Sequence, residues 1–174
     1  MEWYIQLLVI ILPGVLVFAT VYFLMKQFFE NQDRLKMREL RKEGLKVVAP
    51  QQMQAYERLI LLMERINPEN MVMRIQQPGM NVRVFQGELL KTIRQEFEHN
   101  MAQQLYVSPE AWALIKRSKE ETVRLVNIAA GKCDSDKEAM ELSRLILNMT
   151  SQLDKIPTQV AIDGLKKEFR SKYA

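Results

Sequence analysis

The chain has 174 residues, with 25 Lys or Arg against 21 Asp or Glu and a formal net charge of +4. That balance gives no electrostatic footprint for nucleic acid. A single cysteine, Cys133, excludes an intramolecular disulfide and fits a reducing compartment.

Between Glu2 and Lys26 no residue is charged, and Gln6 is the only strongly polar one. As a helix, residues 3–25 rise by roughly 35 Å, enough for a hydrocarbon core of about 30 Å with some tilt. The start, Met-Glu-Trp-Tyr, is acidic and aromatic, whereas a secretory signal wants a basic start and a small-x-small cleavage site. The segment is therefore expected to be a retained anchor with Trp3 and Met25 as its ends. Pro13 and Gly14 within it are tolerated in lipid and read as an ordinary kink or as a hinge.

Lys26, Arg34, Lys36, Arg38, Arg41, Lys42 and Lys46 all follow the run, and no Lys or Arg precedes it. By the positive-inside rule the N-terminus is expected outside the inner membrane and the remainder in the cytoplasm. Glu30, Asp33, Glu39 and Glu43 dilute the basic stretch, so it makes a weak anionic-lipid signal.

Residues 26–50 read as a charged juxtamembrane helix ending in a joint at Gly44 and Pro50, since proline biases its predecessor away from helical angles. Beyond it Met53, Tyr56, Leu59, Ile60, Met63 and Ile66 fall on one side of a helix at ~100° per residue. Asn67-Pro68-Glu69 then stops that helix and starts a short one, and Gln-Gln-Pro-Gly at 76–79 is a turn. The next helix is expected to reach about Leu105, with Phe85, Leu89, Ile93 and Phe97 at four-residue spacing. Ser108-Pro109-Glu110 repeats the start signal for a helix carrying Trp112, Ile115, Val123 and Val126. That helix is expected to end at Gly131 in a left-handed cap. Ser135 and Glu138 match a capping box for a helix bearing Met140, Leu142, Leu145, Ile146 and Met149. Pro157 opens a last helix striped by Ile162, Leu165, Phe169 and Tyr173. No segment shows strand alternation. The expected fold is all-α: an N-terminal transmembrane helix at 1–25, the juxtamembrane segment at 26–50, and a compact cytoplasmic helical bundle at 51–174.

AYERLILLMERINPENMVMRI (55–75) and EFEHNMAQQLYVSPEAWALIKRSKEETVRLVN (96–127) resemble a family of uncharacterised bacterial single-pass membrane proteins. The resemblance covers about three quarters of the chain and is weakest after Gly131. It implies an N-terminal span, a small helical domain and a bacterial inner membrane, with no activity and no catalytic residues attached.

Chemistry is sparse. There is no glycine-rich phosphate loop, no nucleophile elbow, no His-Glu-x-x-His and no Cys-x-x-Cys. His99 has no partner at metal-ligand spacing, and a di-iron bundle site would need two Glu-x-x-His motifs. Glu57 with Arg58 and Glu64 with Arg65 read as solvated ion pairs, while Glu96 with Glu98 is the other carboxylate pair of note. Asn148-Met-Thr150 matches a glycosylation acceptor but lies in a helix on the cytoplasmic side. No catalytic, cofactor-binding or metal residues are expected.

Two readings follow. One is a membrane-tethered adaptor or scaffold module that meets a protein partner at the cytoplasmic face, with the bilayer engaged through residues 3–25. The alternative is a structural or assembly subunit of a larger inner-membrane complex, though the prolines forbid one long coiled-coil rod. The eleven methionines suit either core filling or an adaptable surface. Leu61, about 140° from Tyr56 at ~100° per residue, falls among Arg58 and Arg65. It either packs against another helix of the domain or centres a contact surface with those arginines at its rim.

Overall fold

The computed structural model describes the backbone of residues 3–173 and the side chains of residues 18, 20–32, 36, 43, 44, 46 and 48–173. The described residues are helical, apart from turns and one isolated bridge between Asn81 and Glu138. In chain order they form α1 (Trp3–Arg65), α2 (Pro68–Ile75), α3 (Val82–His99), a 3-10 turn (Met101–Leu105), α4 (Pro109–Ala130), α5 (Ala139–Ser151) and α6 (Pro157–Tyr173). The fold class is all-α. The chain divides into two units, Met1–Ala49 and Pro50–Ala174.

In the first unit, Phe18, Val21, Tyr22, Phe23, Leu24, Met25, Phe28 and Phe29 are all exposed. Among the described residues, no helix is long and apolar enough to cross a membrane. Most of the uncharged run belongs to side chains outside the described residues: those of 3–17, Trp3, Pro13 and Gly14 among them, and of Ala19. The expected span therefore lies largely outside what the structure describes.

The second unit is a helical bundle closed around one core. From the part of α1 after Pro50, Ala55, Tyr56, Leu59, Leu62 and Met63 turn inward, followed by Ile66 just past its end. They meet Phe85, Leu89 and Ile93 of α3, Ile115 and Val126 of α4, Leu142 and Ile146 of α5, and Ile162 and Leu165 of α6. Caps start three helices as their residue types dictate. Asn67 accepts from the Glu69 amide at 3.0 Å, Asn81 from Val84 at 2.9 Å and Ser108 from Ala111 at 3.1 Å. Phe97 stacks on Trp112 with ring centres 5.4 Å apart, and the Lys119 ammonium lies 4.6 Å from the Phe97 centroid.

Five local expectations are corrected. At the expected joint the chain does divide, between Ala49 and Pro50, but the helical backbone is not interrupted there. Proline removes one helical hydrogen bond and crowds the carbonyl four residues back; at Pro50 that carbonyl belongs to Lys46, and both residues are exposed. α3 stops at His99 rather than Leu105, because the Asn100 side-chain amide donates to the Glu96 carbonyl at 2.9 Å and takes the acceptor that continued helix would use. Ser135 is not a cap. Its carbonyl accepts from the Arg83 amide at 3.2 Å and that of Lys137 from Val82 at 2.9 Å, so residues 135–137 stay in a turn and bend, Glu138 is extended, and the helix begins only at Ala139. Gly131 has φ −67° and is not left-handed; among the described residues the positive φ belongs to Gly79, at 84°. Met53, Met140 and Tyr173, expected in the apolar stripes, are exposed.

α4 makes its most extensive contact with α6, and Gly164 permits the close approach: a Cβ there would lie 2.5 Å from Leu114 Cδ1. Gly164→Val is expected to destabilise the fold by about 1–3 kcal/mol through overpacking. Gly164→Ala should cost less, since Leu114 can swing its end and alanine favours helix by ~1 kcal/mol. Urea denaturation of the pair checks the order.

Candidate interaction surface

α1 presents the sequence-derived contact residues directly. Arg58, Leu61 and Arg65 are all exposed, and Leu61 keeps 56% of its surface open. Packing against another helix of the bundle is thus not what Leu61 does. Arg65 reaches across to α3, where its guanidinium donates to both oxygens of Glu96 at 3.2 Å, and its own carbonyl accepts from Arg74 at 2.9 Å. The expected local Glu-Arg pairs are replaced by this longer-range one, worth about 0.2–1 kcal/mol in solvent. Met25, the described end of the expected span, is exposed.

A second surface is concave. The Pro78-Gly79 turn brings Met80 beside α5: the Ala139 amide donates to the Met80 carbonyl at 3.0 Å, next to the Asn81–Glu138 bridge. Between α2 and α5 this leaves a groove of about 900 Å³ lined by Val72, Met73, Met80, Met140 and Leu147. Met73 is 76% exposed and Met140 46% exposed. The Ser143 hydroxyl donates to Gln76 Oε1 at 2.6 Å and braces the floor. Asp136, Lys137, Glu138 and Arg144 give a rim of both signs. Methionine is unbranched and polarizable, so such a lining adapts to different apolar side chains.

A part-buried polar cluster holds α6 in place. Glu168 Oε1 accepts from the Tyr56 hydroxyl at 2.5 Å and from the Ser108 amide at 3.0 Å, while Oε2 accepts from the Ser108 hydroxyl at 2.5 Å. Burial alone would raise the Glu168 carboxyl, but the donors from Ser108 and Tyr56, with Lys172 nearby, bring it below its usual range. Burial first, and then the Glu168 bond and charge, push the Tyr56 phenol well up. A carboxylate held so low is a weak general base, and the Ser108 hydroxyl is already engaged as a helix cap. The cluster is a clasp joining α1, α4 and α6.

Burial, with Glu141 nearby, raises the Cys133 thiol, which lowers its thiolate fraction and its reactivity. His99 is exposed in the last turn of α3. Among the described residues, no group of three His, Cys, Asp or Glu side chains could hold a metal.

Sequence reasoning found the α1 face but not the groove. Met73 lies in a short helix with no long stripe to read, and Met140 was assigned to a buried face.

The chain belongs to DUF7935, a family of unknown function, which matches residues 2–172. No curated protein and no solved structure matches it.

Proposed function

We propose that this member of DUF7935 is a membrane-tethered, single-pass module of the bacterial inner membrane whose cytoplasmic helical unit binds a protein partner. The observation that carries the tether is the set of eight large apolar side chains left exposed between residues 18 and 29. A helix apolar on every side is stable when lipid or protein covers it, and this stretch continues the uncharged run from residue 3. The basic residues after Met25 favour a cytoplasmic second unit. The methionine-lined groove is the contact site, with an apolar helix or extended segment of the partner as occupant. The α1 face at Arg58, Leu61 and Arg65 is the competing location.

Full-length chain should remain with membranes after an alkaline carbonate wash. After mild-detergent purification, Met73→Glu with Met140→Glu should release a co-purifying protein while helix content and melting hold. Leu61→Glu should leave melting within about 0.5 kcal/mol of the parent, as for other exposed sites. Partner loss on Leu61→Glu alone would move the contact to α1, and retention in both variants would sink the binding reading. Stoichiometric co-purification with one complex would instead favour the assembly-subunit alternative.

A further inference from the structure

In sequence, the end of α6 reads as mixed charge: Lys166, Lys167, Glu168, Arg170 and Lys172. The fold turns Glu168 away from that surface; Asp163, one turn earlier on the same side, stays exposed with the Lys155 ammonium 3.7 Å away. Both Glu168 oxygens point inward to Ser108 and Tyr56, and Lys172 keeps its ammonium 3.8 Å from Glu168 Oε1. Lys166, Lys167 and Arg170 are exposed and make no ion pair among the described residues. Beside them lies a small hollow of about 260 Å³ between α1 and α6, floored by Ile60 and Phe169 and flanked by the exposed Met53. Lys166 and Arg170 stand at its edge, with Glu57 as the acidic neighbour.

We infer that this face binds the headgroups of an anionic phospholipid surface. Three unpaired cations on long, flexible stems match phosphate in charge and can snorkel above apolar groups that meet the acyl boundary. The inference rests on the tether reading in one respect: a tethered unit meets the bilayer at high effective concentration. An acidic segment of a partner protein has the same charge but would be indifferent to lipid composition.

The test uses full-length chain with Cys133→Ser and Ser171→Cys, carrying an environment-sensitive dye at position 171. The chain is reconstituted into vesicles of phosphatidylcholine alone or mixed with phosphatidylglycerol. The dye is expected to shift to the blue, and to be quenched by lipid-borne quencher, in the anionic vesicles only, with both effects reversed by high salt. Each neutralised cation should weaken the association about fivefold, and three about a hundredfold. Lys166→Gln, Lys167→Gln and Arg170→Gln together should therefore abolish the shift, and charge reversal at the same positions should do so more strongly. Equal dye emission in both lipids from carbonate-resistant protein overturns the inference and leaves the tether intact. If carbonate strips the protein from both vesicle types, the tether fails instead. Salt-sensitive co-flotation with anionic vesicles alone then supports the inference, and its absence overturns it.

Discussion

Ile93→Asp is expected to abolish cooperative melting of the second unit. Ile93 is 1% exposed and lies in the core with Phe85 and Leu89 on the same face of α3. An aspartate there would bring an unpaired charge, or a protonated acid, into the apolar core cluster, where almost no water reaches it. Either state costs several kcal/mol, a large part of the roughly 5–15 kcal/mol by which a domain is stable. Phe97→Asp, one turn further along, should cost less. Phe97 is only partly buried, and the Lys119 ammonium over its ring would be at hand for a carboxylate. Circular dichroism of full-length protein in mild detergent, followed through a thermal ramp, should show no cooperative transition for Ile93→Asp. A lowered but cooperative transition is expected for Phe97→Asp. The reverse order would mean that the α3 stripe does not face the core.

The α3 stripe was legible because one helix repeats one residue class at its own period, and nothing distant is needed to see it. The starts at Asn67-Pro68 and Ser108-Pro109 were legible for a similar reason: a cap bonds to amides two or three residues away. What failed depended on distant partners or on a competing local bond. Ser135 and Glu138 match the capping-box spacing, yet the backbone of that segment is claimed by Val82 and Arg83, about fifty residues earlier. Asn100 ends α3 because its own amide group outcompetes the next backbone N–H for Glu96, which spacing alone does not reveal. The surfaces follow the same rule. Leu61 could be singled out from one helix, but the methionine groove exists only where α2 meets α5, and the unmasked cations of α6 only where Ser108 and Tyr56 turn Glu168 inward. The largest apolar feature of the sequence, residues 3–25, is the one whose side chains the structure describes least.

Glu168→Gln is expected to weaken the fold and flatten its acid limb, and the two effects separate the clasp from an ordinary surface carboxylate. In the parent, three donors converge on Glu168: the Tyr56 hydroxyl and both the amide and hydroxyl of Ser108. Glutamine keeps one acceptor oxygen and replaces the other with a donor, so at least one of these groups loses its partner, at a cost of about 1–3 kcal/mol. Glu168→Ala should cost more, because the buried Tyr56 hydroxyl loses its acceptor as well. The pH dependence has a definite sign. The same donors, with Lys172, hold the folded carboxyl below its usual range, so protonation is harder in the folded chain than in the unfolded one. The stability that Glu168 supplies is therefore complete above the unfolded value of about 4.3 and disappears as pH falls through the lower folded value. In urea titrations of full-length protein stepped down from neutral pH, the parent should lose stability more steeply than Glu168→Gln across that interval. The two curves should approach one another at the acid end, where the parent's carboxyl is also neutral. Parallel curves would show that Glu168 carries no linked proton, and the clasp would then contribute only as a neutral hydrogen-bond acceptor.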